Sequence, residues 1–149
     1  MTEYIWSIAR WNMLRDCPHL GFIVKCWAQM LADGLVSDDE ILLQEDYRVF
    51  VAVHSESKKP IGFLTIHPNT SDGKMWLSLA YVKPNWRRQG VMVDLLLEAK
   101  KVAMASSLRK VELATRCWND KMAGVAEKCG FRPTWTIYVN DLRGRSDEP

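Results

Sequence analysis

The sequence predicts an α/β (α+β) protein, a mixed sheet covered by helices, with the element order β-α-α-β-β-β-α-β-α-β. Three β-rich segments in the middle of the chain are separated only by polar turns, which predicts consecutive antiparallel strands. A strand, a helix and another strand then follow in succession, which predicts a parallel pair. The 149 residues suit one domain. We place it at residues 1–142, with a polar C-terminal tail at 143–149.

The first third of the chain predicts one strand and two helices. Tyr4 to Ala9 is rich in aromatic and β-branched residues, which favours a first strand. Pro18 suits a helix start, apolar residues recur after it at helical spacing, and Gly34 marks the stop. The Ser-Asp-Asp-Glu run at 37–40 reads as a capping box, which predicts a short second helix.

The middle of the chain predicts three antiparallel strands. Arg48 to His54 and Ile61 to His67 are both β-rich, and the polar run 55–60 between them predicts a hairpin turn. A second turn at 68–73 leads into the third strand of this group, Trp76 to Val82.

The last third predicts a helix, a strand, a helix and a final strand. The first of these helices shows one apolar face, made of Met92, Leu95, Leu96, Ala99, Val102 and Ala103. Lys110 to Thr115 is the next strand. Asn119 or Asp120 caps the following helix, which Gly130 ends. Thr134 to Leu142 is predicted as the last strand.

The composition narrows the functional classes. A formal charge of +2 is too balanced for a general nucleic-acid surface, so nucleic-acid binding is not expected. The four cysteines form no Cys-x-x-Cys pair and no zinc-like spacing with histidine, so we expect reduced, mostly buried thiols and no metal site. The sequence shows neither an apolar run of membrane-spanning length nor a signal peptide, so we expect a cytoplasmic protein without membrane attachment.

The stretch from Tyr81 to Met92 predicts an anion site. A strand there runs into a loop with Arg87, Arg88 and Gly90, and a helix follows at once. Backbone N–H groups at a helix start lack internal partners, a glycine lets a phosphate approach them, and arginines add charge-assisted hydrogen bonds. An exposed position is expected for Trp86 among these polar residues. The sequence therefore predicts that a phosphate-bearing ligand binds here.

Two motifs in the chain resemble those of the GCN5-related N-acetyltransferases, the GNAT superfamily. The first is the Val-x-Pro and Arg-x-x-Gly run at 82–92, and the second is Asn119 followed by Gly130-Phe131. The strand with Ile61-Gly62-Phe63 also matches. The resemblance covers residues 48–131 well and the first 47 residues in element order only. It implies the GNAT-type sheet, with helices on both faces.

The resemblance implies acetyl-coenzyme A as the cofactor. The loop would hold the diphosphate through its backbone N–H groups and arginines, the strand end would pair with the pantetheine arm, and Asn119 would bond that arm or only cap its helix. The implied cofactor-binding residues are Tyr81, Val82, Lys83, Arg87, Arg88, Gln89, Gly90, Val91, Met92 and Asn119.

Two positions depart from the family pattern. Met92 stands where the loop motif has a small residue, so its side chain either crowds the phosphate or packs inward. Ala126 stands four residues before the final glycine, where many members carry a tyrosine that protonates the leaving thiolate. The usual general acid is therefore absent.

Three other residues are candidates for the catalytic work. Histidine is the residue type best suited to exchange a proton near neutral pH, so His67 would act as the base, unless it only ends its strand. Ser78 would act as a base through water, and Glu45 or Asp46 are further candidates. Tyr138 would replace the missing acid, unless it is a packed strand residue.

The resemblance implies an N-acetyltransferase that acts on a primary amine of a small molecule or a protein. One alternative is a GNAT-fold binding or assembly module with weak or lost catalysis, which Met92 and Ala126 favour. A further alternative is acyl transfer to a nucleic-acid base, which the balanced charge does not favour. A homodimer is compatible with the sequence.

Overall fold

The computed structural model describes residues 5–36, 43–67, 72–114, 120–134, 138, 140 and 142–144. The strands are β1 (Trp6–Trp11), β2 (Arg48–His54), β3 (Pro60–His67), β4 (Lys74–Val82) and β5 (Lys110–Leu113). The helices are α1 (Leu20–Ala32), α2 (Val91–Ala105) and α3 (Asp120–Lys128), and two short 3-10 turns lie at Leu14–Asp16 and Pro84–Trp86. The predicted helix after 37, the Asn119 cap and most of the predicted last strand lie outside the described residues.

The five strands form one mixed sheet in the order β1-β2-β3-β4-β5. The first four pair antiparallel with their neighbours, and β5 pairs parallel with β4. The predicted fold class is therefore confirmed. Strand β1 starts two residues later than predicted and continues to Trp11, because its ladder with β2 runs from Trp6↔His54 to Trp11↔Val49. Strand β4 starts two residues earlier, because Lys74 already pairs with Lys110.

Helices cover both faces of the sheet, as the resemblance implies. Helices α2 and α3 share one apolar core with the sheet, which includes Phe50, Leu64, Ile66, Met75, Leu77, Leu95, Leu96 and Cys129. Helix α1 covers the opposite face with Ile23, Cys26 and Met30, against Val49, Val51, Phe63, Leu79 and Tyr81. No helix within the described ranges is both long and apolar enough to span a bilayer.

A β-bulge at Ser78 changes which face of the sheet the side chains of β4 join. Thr65 pairs with Leu79 and Ile66 pairs with Leu77, so Ser78 is the extra residue. Before the bulge, odd-numbered side chains pack on the α2 face. After it, Leu79 and Tyr81 pack on the α1 face. The buried Thr65 hydroxyl lies 2.7 Å from the Ser78 hydroxyl, so the two side chains bond across the bulge.

Gly62 lets β3 approach the end of β4 closely. A Cβ atom at this position would lie 3.0 Å from the Tyr81 carbonyl oxygen and 3.2 Å from a methyl group of Val82. The backbone of β4 cannot yield easily here because its pairing with β3 fixes it. The glycine in the Ile-Gly-Phe segment is therefore required by packing.

We expect Gly62→Ala to lower the free energy of unfolding by about 1–3 kcal/mol, because the new methyl group overlaps the backbone of β4. Gly21→Ala is the matched control. Its Cβ atom meets nothing within 4 Å and its site lies inside α1, so it should leave stability unchanged or raise it by up to about 1 kcal/mol. Urea unfolding of the two variants checks the difference. Equal stabilities would contradict the close approach.

Candidate functional site

Among the described residues, one side of β4 is unpaired in the second half of the strand. Its parallel ladder with β5 stops at Leu77↔Leu113, whereas its ladder with β3 continues to Val82. In the described part of the chain, no strand pairs with this side of β4 between Ser78 and Val82. A length of four residue steps, about 13 Å, therefore presents backbone groups to an extended ligand.

The strand's alternation tells which groups face the open side. The Lys83 N–H donates to the Ile61 carbonyl oxygen over 2.9 Å, so Lys83 faces β3. Backbone groups alternate along a strand, so those of Tyr81 also face β3, while those of Val82 and Ala80 face the open side. The sequence indicated Val82 for this role but not Ala80, because nothing in an alanine marks a backbone contact.

The loop after β4 holds two residues in the left-handed region of backbone conformation. Arg88 has φ 64° and Gly90 has φ 97°. A non-glycine residue in this region carries a strain of about 1–3 kcal/mol, and such residues cluster at ligand sites. Turns of this type aim successive N–H groups into one concavity, which binds anions.

The start of α2 fits a phosphate group. Gly90 is the N-cap residue, and no side chain caps the helix there. A Cβ atom at Gly90 would meet nothing within 4 Å, so the space beside the N-cap residue is open. The first-turn N–H groups therefore keep their hydrogen-bonding capacity and their partial positive charge for a ligand.

Arg87 joins the loop to the end of β4. Its Nε donates to the Val82 carbonyl oxygen over 2.9 Å, and its guanidinium carbon lies 5.1 Å from the centre of the Tyr81 ring. Burial raises the pKa of Tyr81, and the Arg87 charge opposes that rise. The side chain remains exposed, so its other N–H donors can reach an anion.

The other predicted loop residues have mixed placements. Lys83 is half-buried with its ammonium group 5.7 Å from the Phe22 ring centre, and Arg88 is exposed. Gln89 donates a side-chain hydrogen bond to the Asn85 carbonyl oxygen over 3.2 Å. Val91 is buried. Met92 is half-buried and packs against the α2-side core, in line with the inward alternative.

Trp86 is not the exposed loop residue that the sequence indicated. It is half-buried, its ring lies 5.2 Å from the His54 ring, and it meets Trp6 edge-to-face at 6.5 Å. The 3-10 turn before the loop brings the indole back onto the sheet, which its polar sequence neighbours did not reveal.

The candidate base lies beyond the bulge. His67 pairs with Trp76 across β3 and β4, and its ring lies 5.0 Å from that of Tyr47. By strand alternation from Phe63, His67 belongs to the α1 face. Trp76 is 38% exposed. An aromatic group with one histidine therefore stands about 20 Å along β4 from the glycine loop.

The remaining catalytic candidates are placed as follows. Ser78 is half-buried at the bulge, and its hydroxyl bonds to Thr65. Tyr138 is 92% exposed, and Asn119 lies outside the described residues. Ala126 is buried and its carbonyl oxygen accepts the Phe131 N–H, which ends α3. Cys129 is buried in the core, as the sequence indicated.

The comparisons with known proteins agree with this geometry. A family model described as the acetyltransferase (GNAT) family matches residues 5–131. The match spans the two sequence motifs and most of the chain, and it confirms the resemblance drawn from them. No curated protein sequence matches the chain significantly.

Solved structures share the fold. A GCN5-related N-acetyltransferase from Kribbella flavida aligns with a TM-score of 0.73 at 15% identity, over 89% of this chain and 86% of its own. An aminoglycoside N-acetyltransferase in complex with CoA aligns with a TM-score of 0.67 at 23% identity, over 92% of this chain and 99% of its own. A ribosomal-protein-alanine N-acetyltransferase from Brucella melitensis biovar Abortus aligns with a TM-score of 0.69 at 20% identity, over 92% of this chain and 99% of its own. At these identities, the likeness shows the fold.

We expect the Cys26 thiol, which lies within electrostatic reach of Lys83 and Tyr81, to be inert. Burial raises its pKa from 9.0 to about 11, partly opposed by Lys83. At pH 8 the thiolate is therefore roughly a hundredfold scarcer than in the unfolded chain, and only the thiolate reacts. Iodoacetamide labelling with site-resolved mass spectrometry should show slow native and fast denatured alkylation of Cys26. Native alkylation at the rate of a free thiol would refute this.

Proposed function

Because the chain belongs to the acetyltransferase (GNAT) family, we propose that it transfers the acetyl group of acetyl-coenzyme A to a primary amine. One observation carries the proposal. The open side of β4 is followed by a 3-10 turn and the glycine loop, which lead to the uncapped N-terminus of α2, so a strand-like ligand with a diphosphate at one end finds its two kinds of contact on successive elements. Relatives of this fold include an enzyme in complex with CoA, the cofactor that the sequence indicates.

The loop and the helix start would hold the diphosphate. The N–H groups from Arg88 to Met92 are the candidates, with the exposed guanidinium groups of Arg87 and Arg88 adding charge. The pantetheine arm would take the place of a strand beside β4, where the N–H and C=O groups of Ala80 and the N–H group of Val82 face outward, while the Val82 carbonyl oxygen accepts from Arg87. The arm would then point from the loop toward the bulge at Ser78.

The chemistry takes place at the far end of the open side. When bound, acetyl-coenzyme A would supply the acetyl thioester: its carbonyl carbon would bond to the amine nitrogen, the carbon–sulfur bond would break, and the coenzyme A thiolate would leave and take up a proton as the nitrogen loses one. An outward N–H of β4 can donate to the carbonyl oxygen and stabilise the charge that develops there. Positioning alone supplies on the order of 7–11 kcal/mol in such transfers.

His67 is the candidate base for the acceptor. It stands beyond the bulge on the α1 face, beside Tyr47 and the partly exposed Trp76. A neutral imidazole there would take a proton from an ammonium group and leave the amine nucleophilic. Ser78 would contribute through water, and Tyr138 is the candidate acid.

The acceptor would be a small molecule or a protein. Both classes occur among the structural relatives, one an aminoglycoside enzyme and another a ribosomal-protein-alanine enzyme. The aromatic group around His67 favours an amine that carries positive charge, because aromatic faces attract cations.

A non-catalytic binding module is the second candidate. Its supporting observation is Ala126, a buried alanine where many family members carry the tyrosine acid. Such a module would keep the coenzyme site and lack turnover. Binding and turnover measured on one preparation separate the two candidates.

The proposal extends to organisation and location. A single domain at 1–142 with a tail at 143–149 fits the continuous sheet and its two cores. A cytoplasmic location is supported by Cys17, Cys26 and Cys129, which are free thiols. The homodimer that is compatible with the sequence stays a prediction.

We expect Arg87→Glu to weaken coenzyme A binding by roughly tenfold or more, because it places a carboxylate where a guanidinium meets the diphosphate. Arg10→Glu is the matched control. It makes the same charge change at an exposed site on β1, four residues from the loop-side end of that strand. Isothermal titration checks both variants. Absence of wild-type binding at millimolar coenzyme, or equal affinities of the two variants, would refute the proposal.

We expect His67→Gln to lower kcat/KM by roughly 10²–10³ at neutral pH and to remove the acidic limb of its pH profile, because glutamine cannot take the proton. His19→Gln, at the start of α1, is the control and should leave the profile unchanged. Tyr138→Phe tests the acid in the same assay. An unaltered profile would remove His67 as the base, and unaltered turnover would remove Tyr138 as the acid.

A further inference from the structure

A tryptophan on the edge strand reaches the first turn of the helix that begins at the loop. The Trp6 Nε1 donates to the Asp94 Oδ2 over 2.8 Å, across a separation of 88 residues in sequence. Asp94 is the fourth residue of α2, and its own N–H closes the first helical hydrogen bond to Gly90. The contact therefore ties β1 to the helix at its first turn.

The same indole also contacts the segment before the loop. Trp6 meets Trp86 edge-to-face with ring centres 6.5 Å apart, and Trp86 lies 5.2 Å from the His54 ring. Trp86 closes the 3-10 turn that precedes the loop, and Asp94 follows the loop. Trp6 thus touches both sides of the segment that carries Arg88 and Gly90.

The charge of Asp94 makes this contact relevant to an anion. Asp94 is the acidic residue of the first turn of α2. Side chains on a helix lean toward its N-terminus, so an unrestrained carboxylate here would approach the N–H groups that attract anions. A carboxylate in that position would compete with a diphosphate for those groups and repel it.

We propose that Trp6 is a positioning residue for the coenzyme. Its indole N–H holds the Asp94 carboxylate on the β1 side of α2, so that the first-turn N–H groups stay open to the diphosphate. The proposal rests on the proposed function, since it concerns the same site. It assigns to the edge strand a role that neither sequence motif contains.

A double-mutant cycle on coenzyme A affinity tests this role. Trp6→Phe keeps an aromatic ring and removes the indole donor, and it should weaken binding roughly fivefold at low salt. Asp94→Asn should bind as well as the wild type or better, and the double variant should match Asp94→Asn. The deficit of Trp6→Phe should shrink as salt rises, because it is a repulsion between exposed charges. Trp11→Phe, at the other end of β1, is the control and should bind like the wild type.

Several outcomes would overturn the proposal. A Trp6→Phe deficit that persists in the double variant would mean that the ring only packs against the loop. A Trp6→Phe affinity equal to that of the wild type would refute the role altogether. Absence of wild-type binding would instead defeat the proposed function, so the two failures are distinguishable.

A second pair of variants leaves Trp6 in place. Asp94→Glu moves the carboxylate outward by one methylene, and Asp94→Gln is its neutral match. The glutamate variant should bind coenzyme A more weakly, and in turnover it should raise the KM for acetyl-coenzyme A while kcat is unchanged. Equal affinities of these two variants would also overturn the proposal, and thermal unfolding of each confirms that it is folded.

Discussion

The structure depends on one extra residue in β4. The bulge at Ser78 reverses which side chains of β4 point to which face of the sheet. Odd-numbered side chains join the α2-side core before the bulge and the α1-side core after it. The buried Thr65 hydroxyl satisfies the hydroxyl of the extra residue, a bond worth about 1 kcal/mol that also fixes where the bulge occurs. The same irregularity marks the point where pairing with β5 has just ended, and so the start of the open side of β4.

The open side of β4 and the loop form one candidate binding site, because β4, the 3-10 turn and α2 follow one another without a long connection. A strand that loses its neighbour exposes N–H and C=O groups that need partners, and an uncapped helix exposes N–H groups of the same kind. Satisfying either set inside the protein would have been simple, through a longer β5 or a serine at the N-cap. Within the residues that the structure describes, both sets stay open on adjacent elements, which is the expected arrangement for one elongated ligand with an anionic end.

The sequence was sufficient for the regular parts of this arrangement. Local sequence patterns predict the hairpin of β2 and β3, the apolar face of α2 and the glycine loop. Polar turns, helical spacing and a glycine with positive φ can each be recognised from the residue types alone. The bulge leaves no such trace, because serine is ordinary in a strand and only the cross-strand register shows that it is extra. For the same reason the outward backbone of Ala80 could not be predicted. The packing of Trp86 depends on β1, a partner about 80 residues away, and a local pattern does not encode such a contact.

The loop is held from two sides by interactions of different kinds. On the α1 side, Arg87 binds the end of β4 through the Val82 carbonyl oxygen and the Tyr81 ring, so the cation that attracts the ligand also anchors the strand. On the β1 side, Trp6 contacts the Trp86 ring and donates a hydrogen bond to the Asp94 carboxylate. A loop with a left-handed arginine is strained, and strain persists only where surrounding contacts over-determine it. Arg87 keeps a positive charge at the loop, and Trp6 keeps the negative charge of Asp94 away from it. The two sets of contacts therefore determine both the shape of the loop and the electrostatic potential at the site.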